Sequence, residues 1–393
     1  MPSRWERWTW IRLVATTLAV ALTTVGVSLA QNPPAKQNAA GKGKNARNKG
    51  RDAKGEPLKK ALPNAGDPIE NQGLDADKNG PAGMVHYRLK LKANDGTLLA
   101  VTYYPTFPAR LGTNAPVLLM IHEKDRSGKD FEDPIAELKN QGIAEHMQSL
   151  GYAVLTLDLR GQGANVRKAL SQQDWQKMID DVQAAYQFLV DRHNRGKLNL
   201  AKFGVLALGE GANLAAAWAN SPGGAVSSEG RTSDLGALVL VSPMAEGEGF
   251  GLKEMMAALG PRIPLLVLAG ERDQVSKDPV RAARAIVERT RLNRVEFFPS
   301  SLHGYKLLRL EPKVTSVIAK FFEGMVKNKA VEWEPRYNLT PVAYGDIQLV
   351  RTNKTPNAAE KEKEKKDAGK EKAKEKDREK EKDAAPAKQQ EPQ

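Results

Sequence analysis

One stretch decides the fold: residues 203–218, which read FGVLALGEGANLAAAW. The apolar run at 203–206 is typical of a buried strand. Residues 207–211 are mostly small, and a sharp backbone turn needs small residues. The alanine-rich segment 212–218 favours a helix. The sequence therefore predicts a strand, a tight turn and a helix, with Gly209 at the centre of the turn.

The same alternation of strand and helix patterns extends over residues 83–329. Strand patterns lie at 84–91, 98–104, 117–121, 153–157, 203–206, 237–241, 265–268 and 295–298. Helical patterns lie at 135–150, 175–189, 212–218, 279–289 and 313–326. Such an alternation predicts a mostly parallel sheet with helices on both faces. The first two strands are joined by Asn94-Asp95-Gly96, which predicts an antiparallel hairpin.

The turn at 207–211 resembles the nucleophile elbow of α/β-hydrolases, small-x-Ser-x-Gly, except that Gly209 stands in the place of the serine. Further motifs follow in the order of that family: Ile121-His122, Asp158-Leu159-Arg160-Gly161-Gln162-Gly163, Gly270-Glu271-Arg272-Asp273 and His303-Gly304. The chain is most similar to the small dienelactone-hydrolase and acyl-peptidase types. The resemblance implies an α/β-hydrolase fold with a mostly parallel sheet of about eight strands. It also implies no large cap domain, because no long insertion follows the strand pattern at 237–241.

The resemblance also assigns roles to individual residues. In serine hydrolases of this family, the nucleophile, acid and base follow one another along the chain, and backbone N–H groups bind the oxyanion. Asp273 is then the acid, His303 the base and Gly209 the vacated nucleophile position. The backbone N–H groups of Glu123 and Glu210 would bind the oxyanion. Because glycine has no side chain to deprotonate, no acyl intermediate can form at this turn, and we expect a catalytically degenerate hydrolase.

Alternative nucleophiles remain open. Hydroxyl groups near the predicted motifs belong to Ser242, Ser300 and Ser301. A displaced nucleophile among them, or a water activated by His303, would leave the protein an active ester or amide hydrolase. Glu123 stands where the family usually has glycine. Its carboxylate would oppose a developing oxyanion unless Lys124 neutralises it.

We predict no metal and no cofactor. The polar groups of the predicted site, Glu123, Glu210, Asp273 and His303, could together coordinate a cation, but their spacing matches no ligand motif. The side chain of Glu210 follows the apex of the turn, so we expect it to point away. This differs from the epoxide-hydrolase relatives, in which an aspartate occupies the apex itself.

The N-terminal region has the pattern of an export signal. Arg4, Arg7 and Arg12 precede an apolar stretch at 13–29, and Ser28-Leu29-Ala30 supplies small residues for cleavage. Residues 1–30 therefore predict a secretory signal peptide cut after Ala30, with an uncleaved anchor as the alternative. We predict export to the periplasm, the cell envelope or the medium, and no transmembrane span after cleavage.

The other segments outside the body differ from it in composition. Residues 31–82 are rich in Lys, Asn, Gly and Pro and lack aromatic residues, so they predict a disordered polar linker. Residues 330–352 contain enough apolar side chains to predict an extended strap packed on the body at 83–329. Residues 353–393 are rich in Lys and Glu and place like charges at i,i+4, which predicts a mostly disordered tail.

Composition limits the function further. The chain has 393 residues, of which 40% are hydrophobic, carries a formal charge of +13 and has no cysteine. It can bury one large core but can form no disulfide. The charged residues are spread over the two terminal segments, and no basic stripe interleaved with aromatic residues is present in the sequence. This pattern argues against specific nucleic-acid binding. Three hypotheses follow: a degenerate hydrolase with a cleft for an ester-like ligand or a partner, an active hydrolase, or a module whose charged tails bind anionic envelope material.

Overall fold

The fold was analysed in a computed structural model, which describes residue 74 and residues 84–165, 170–222, 224, 234–336 and 342–351. All of these residues belong to one compact unit within residues 60–393. The predicted signal segment, nearly all of the predicted linker and the predicted tail at 353–393 lie outside the described residues. Within the described part of the chain, no helix combines the length and the apolar character needed to cross a bilayer.

A nine-stranded sheet forms the centre of the fold, in the order β10-β9-β6-β5-β3-β4-β2-β1-β11. Its strands are β1 Val85–Lys92, β2 Leu98–Tyr104, β3 Val117–Ile121, β4 Ala153–Leu157, β5 Phe203–Leu208, β6 Leu235–Val241, β9 Leu265–Gly270, β10 Arg294–Phe298 and β11 Ala343–Arg351. The six strands from β10 to β4 are parallel, and β2, β1 and β11 pair antiparallel at one edge. A separate hairpin contains β7 Glu246–Gly247 and β8 Phe250–Gly251. It is the only strand structure between β6 and the next helix, a stretch that is described throughout, so no cap domain is inserted there.

Helices cover both faces of the sheet. They are α1 Ile143–Ser149, α2 Gln172–Asn194, α3 Glu210–Asn220, α4 Leu252–Leu259, α5 Lys277–Val287, α6 Gly304–Leu310 and α7 Val314–Phe322. Side chains of β5 alternate between two apolar cores, Val205 and Ala207 facing one and Leu206 and Leu208 the other. The first core packs against α2 to α5, and the second against α1, α6 and α7. Burial on both faces explains why the central strands are continuously apolar.

The prediction of one helix over residues 135–150 is wrong. Only Ile143–Ser149 is α-helical, and a short 3-10 turn spans Ala136–Leu138. Between them, Lys139 and Asn140 adopt left-handed φ values of 57° and 60°. The chain then passes so close to a neighbouring loop that a Cβ on Gly142 would lie 2.5 Å from the carbonyl oxygen of Phe131. This close approach fixes a bend that helical spacing alone does not reveal.

The sheet has one strand more than predicted, because part of the segment at 330–352 joins its edge. Residues 343–351 form β11, which pairs antiparallel with β1. The buried Arg192 on α2 donates from Nη2 to the hydroxyl of Tyr344 on β11, at 2.6 Å. Before the strand, the indole of Trp333 donates to the carbonyl of His193 at 3.0 Å. These contacts fix the segment against the C-terminal end of α2.

Candidate active site

The sharp turn predicted at Gly209 connects β5 to α3. Gly209 has φ 52° and ψ −128°, a backbone conformation that strains any residue with a side chain. Its N–H donates to the carbonyl of Val241 at 2.9 Å, and its own carbonyl accepts from the N–H of Ala212 at 3.0 Å. Two residues later, a Cβ on Gly211 would overlap the carbonyl oxygen of His122. The turn is therefore held tightly between β6 and the loop that follows β3.

Asp273 and His303 meet beside this turn. Asp273 follows β9, His303 immediately precedes α6, and Nδ1 of His303 lies 2.8 Å from Oδ2 of Asp273. The carboxylate also accepts from the hydroxyl of Ser276 and from the N–H of Val275. Burial alone would raise the pKa of Asp273, but the hydrogen bonds from Ser276 and His303 outweigh it and lower that pKa. The aspartate is thus held ionised, where it can orient the imidazole.

His122 shapes the loop after β3. The ring is fully buried, its Nδ1 lies 2.7 Å from the carbonyl oxygen of Glu123, and its Nε2 accepts from the N–H of Leu159 at 3.1 Å. Since Nε2 accepts a hydrogen bond, the neutral ring carries its proton on Nδ1 and donates a hydrogen bond from there to the carbonyl oxygen of Glu123. Burial lowers the pKa of His122, which keeps the ring neutral. His122 therefore fixes the backbone at Glu123.

The side chain of Glu123 fills the space in front of Gly209. A Cβ built on Gly209 would lie 2.7 Å from Cβ and 3.5 Å from Oε2 of Glu123. Oε2 accepts from the N–H of Tyr305 at 2.7 Å, and a Cβ on Gly304 would overlap this same oxygen. The side chain of Glu123 thus crowds the position that the Cβ of any residue at 209 would take. Sequence reasoning considered only the backbone N–H of Glu123 and its charge, and missed this placement.

Burial raises the pKa of Glu123. The N–H of Tyr305 and the positive charges of His303 and Arg126 oppose that shift, whereas the neighbouring carboxylate of Glu210 adds to it. The net direction means that the protein favours the protonated form of Glu123 more than water does.

The comparisons with known proteins agree with this architecture. Residues 138–262 match the family model described as serine aminopeptidase, S33. The match includes the turn at Gly209 and ends before Asp273 and His303. This chain has the α/β-hydrolase fold. No curated protein sequence matches it.

Solved structures of hydrolases resemble this α/β-hydrolase-fold chain at low identity. An esterase from Pyrococcus furiosus is 16% identical, with a TM-score of 0.43 over 61% of this chain and 90% of that one. An acylaminoacyl peptidase from Pyrococcus horikoshii is 15% identical, with a TM-score of 0.44 over 67% of this chain and 45% of that one. A structure from work on two esterases of Rhizomucor miehei is 12% identical, with a TM-score of 0.45 over 66% and 90%.

Lys124 does not neutralise Glu123 by a direct ion pair. Its ammonium group pairs with Glu248 at the tip of the β7–β8 hairpin and lies 5.5 Å from the ring centre of Trp175. Its backbone N–H donates to Oε2 of Glu210 at 3.3 Å. The expectation that the side chain of Glu210 points away from the turn is therefore wrong, since its carboxylate reaches back to the loop after β3.

The alternative serines do not engage the imidazole. Ser242 is fully buried with φ 52°, and its Oγ has no partner among the described residues. Oγ of Ser300 accepts from the N–H of Leu302 at 3.2 Å, and Ser301 is exposed. Among the described residues, His303 makes a side-chain hydrogen bond to Asp273 and to no serine. None of these three hydroxyl groups is therefore hydrogen-bonded to the imidazole of His303.

Within the described ranges, no group of three or more His, Asp or Glu side chains is arranged to hold a metal ion. The aspartate of the 158–163 motif is structural, because Asp158 accepts from the N–H groups of Gly128 at 2.6 Å and Ala164 at 2.8 Å. It joins two loops beside the site.

Proposed function

We propose that this α/β-hydrolase-fold protein performs no serine-based ester or amide hydrolysis and acts through a cleft that receives a small ester-like ligand or a partner. One observation carries the proposal: the side chain of Glu123 fills the space in front of Gly209. A serine hydrolase needs a hydroxyl at that point, within reach of the base. Here the side chain of Glu123, whose carboxylate has no proton to give when ionised, lies against that position instead.

The size of the rate loss expected without a serine nucleophile supports the absence of serine-based catalysis. Removing the nucleophile of a serine hydrolase lowers kcat by about a millionfold. The donors and binding groups that remain account for about 10³–10⁴ over water. The second half of the site is retained, because His303 and Asp273 are still 2.8 Å apart. A retained pair beside a filled nucleophile position favours binding over turnover.

Export belongs to the same proposal. The arginines that precede the apolar stretch at 13–29, and the small residues at 28–30, are the pattern of a secretory signal. We infer that the mature chain begins near residue 31 and works in the periplasm, in the cell envelope or outside the cell. N-terminal sequencing of the protein recovered from the exporting cell tests this, and a mature protein that still begins at Met1 would contradict it.

The test of the proposed function uses a fluorophosphonate probe that labels activated serines. The full chain should remain unlabelled and should not hydrolyse p-nitrophenyl acetate above the buffer rate. Covalent labelling of any serine would overturn the proposal. The probe reports on every serine at once, so it also tests Ser242, Ser300 and Ser301 as displaced nucleophiles.

Restoring the hydroxyl sharpens the test. Gly209→Ser alone should stay almost unlabelled, because the new Cβ would lie 2.7 Å from Cβ of Glu123. Gly209→Ser combined with Glu123→Gly should become labelled at position 209. The matched control combines Gly209→Ser with Glu137→Gly, which removes an exposed glutamate elsewhere on the surface. Equal labelling of both double variants would show that Glu123 does not block the site.

A further inference from the structure

Exposed arginines are concentrated in residues 281–294, which cover the later part of α5 and the turn before β10. They are Arg281, Arg284, Arg289, Arg291 and Arg294. The only acid within this segment, Glu288, pairs with Arg284 at 2.9 Å. Among the described residues, no carboxylate forms an ion pair with the other four arginines, and this includes the flanking Asp278 and Glu296. This surface, the arginine patch, therefore carries positive charge that the fold does not neutralise.

The turn that connects α5 to β10 is held by one asparagine. The N–H of Asn293 donates to the carbonyl of Thr290 at 2.9 Å and closes the turn. The buried side-chain amide of Asn293 donates to the carbonyls of Gly260 at 2.9 Å and Val287 at 3.0 Å. Its oxygen accepts from the N–H of Leu265 at 2.9 Å. These bonds fix the turn to the body, so the exposed residues at 291 and 292 have a fixed place on the surface.

Leu292 lies at the tip of this turn. The residue is 50% exposed, and the arginines at 289, 291 and 294 surround it in the sequence. An apolar side chain between cations suits the boundary of a bilayer, where the cations contact phosphates and the apolar group leaves water. A soluble polyanion would occupy the arginines but would offer no apolar phase to Leu292. The combination therefore favours a lipid surface over a nucleic acid.

The turn and the candidate site lie at opposite edges of the sheet. β9 and β10 are parallel, and the turn at 288–293 precedes β10, so it lies at the amino ends of these strands. Gly209, Asp273 and His303 follow strands of the same parallel sheet and lie at the carboxyl ends. A surface that contacts the turn would thus leave the candidate site open to solvent.

We propose that the arginine patch binds the surface of a bilayer that contains anionic phospholipids, with the side chain of Leu292 entering the headgroup region. Guanidinium groups form paired hydrogen bonds with phosphate oxygens, which an ammonium group cannot reproduce. Each basic residue close to an anionic bilayer strengthens binding about fivefold, and salt screens this attraction. The inference goes beyond the proposed function and does not rest on it.

The first test measures cosedimentation of the full chain with vesicles of equal parts phosphatidylcholine and phosphatidylglycerol. The variant that combines Arg289→Gln, Arg291→Gln and Arg294→Gln should bind on the order of a hundredfold more weakly, at about fivefold for each arginine. Binding of the wild type should weaken as salt is added and should be absent on vesicles of phosphatidylcholine alone.

The matched control removes the same charge elsewhere on the body. It combines Lys92→Gln, Lys129→Gln and Lys253→Gln, three exposed lysines outside the patch. This variant should bind as the wild type does. The charged terminal segments are present in all three proteins, so their contribution cancels in the comparison. Equal weakening of the two triple variants would overturn the proposal, because binding would then depend on net charge and not on the patch.

A second measurement locates Leu292 and leaves every arginine in place. Because the chain has no cysteine, Leu292→Cys can carry a single nitrobenzoxadiazole label, whose emission depends on polarity. The control label is at Leu98→Cys, which is equally exposed at 50% and lies at the start of β2. On the mixed vesicles, emission from position 292 should shift to the blue and gain intensity, whereas emission from position 98 should not change.

Three further outcomes would overturn the proposal. The full chain could fail to bind the mixed vesicles, or the label at position 292 could stay unchanged on bound protein, so that another surface makes the contact. The arginine variant could also lose affinity for duplex DNA and keep its affinity for vesicles, which would assign the patch to nucleic acid. None of these results bears on labelling by the serine probe, so this proposal and the proposed function fail separately.

Discussion

The steric conflict between position 209 and Glu123 predicts a strong coupling between two substitutions. Ordinary van der Waals contact begins at 3.4 Å, whereas Cβ of Gly209→Ser would stand 2.7 Å from Cβ of Glu123, so the contact must open by 0.7 Å. Overpacking of this kind lowers the free energy of unfolding by about 1–3 kcal/mol. The φ of 52° adds a backbone cost of about 1–3 kcal/mol for any residue with a side chain.

Only the first of these costs depends on Glu123. In the background of Glu123→Gly, Gly209→Ser should therefore destabilise by its backbone cost alone. The double-mutant cycle should give a coupling energy of about 1–3 kcal/mol, with the double variant more stable than the two single effects added together predict. Glu123→Gly will have a cost of its own, about 1.5–3 kcal/mol, because the N–H of Tyr305 loses a charged acceptor. The cycle subtracts that cost, so it does not enter the coupling.

The assay is urea unfolding of the four proteins, followed by tryptophan fluorescence at equal protein concentration. The m-value should be the same in all four, so that the midpoints report stability alone. Additivity within about 0.5 kcal/mol would refute the reasoning, because residues that do not touch behave additively at that level. The side chain of Glu123 would then point elsewhere, and the account of the filled site would fail with it.

Three further outcomes are expected. Gly304→Ala should lower the urea midpoint, because φ is +47° and the new methyl group would overlap Oε2 of Glu123. The control is Gly324→Ala, whose methyl group would meet no atom within 4 Å. The control should be neutral or should stabilise the fold by up to about 1 kcal/mol. Burial raises the pKa of Glu123, so the native state holds the proton more tightly than the unfolded chain does. The stability of the wild type relative to Glu123→Gln should therefore fall as the pH rises from about 4 through that raised pKa. Urea midpoints measured across this pH range check the prediction, and a rise in the stability of the wild type relative to the variant would contradict it. If the charged tail binds anionic envelope polymers, deletion of the residues after Thr352 should abolish salt-sensitive retention on them, and unchanged retention would exclude that role.

The centre of the sheet could be predicted from sequence almost to the residue. The patterns at 117–121 and 153–157 coincide with β3 and β4. Strands in the middle of a parallel sheet are buried on both faces, so their apolar runs are continuous and end where the polar loops begin. The edge was harder: β11 contains Gly345 and Asp346 within its apolar residues, and an edge strand needs only one face to be apolar. Its pairing with β1 is a property of the whole sheet and not of that segment.

Local spacing was misleading where tertiary contacts decide the backbone. The apolar residues at 135–150 have helical spacing, but Lys139 and Asn140 adopt left-handed conformations that end any helix between Leu138 and Ile143. Asparagine tolerates that region, whereas lysine gives no signal for it. The bend is imposed by packing against the loop at Phe131, which is not visible in the order of the side chains.

The candidate site, too, could be predicted only in part from the sequence. Motif order brought Asp273 and His303 to the same place as the turn at Gly209, because parallel strands deliver the loops at their carboxyl ends to one edge of the sheet. The direction of the Glu123 side chain could not be derived, since it depends on loop dihedral angles after β3. A signal did exist in the sequence: the glycines at 209 and 304 both leave room, and both turn out to face the same carboxylate.

The residues at positions 123, 209 and 304 constrain one another. A serine at 209 would meet Glu123 at a separation below any ordinary contact, and a side chain at 304 would overlap its carboxylate oxygen. The observed placement of the Glu123 side chain therefore favours glycine at both positions. The loss of the serine, taken alone, suggests an empty site. Taken with Glu123, it describes a turn whose front is filled by a glutamate side chain, beside an imidazole that Asp273 orients.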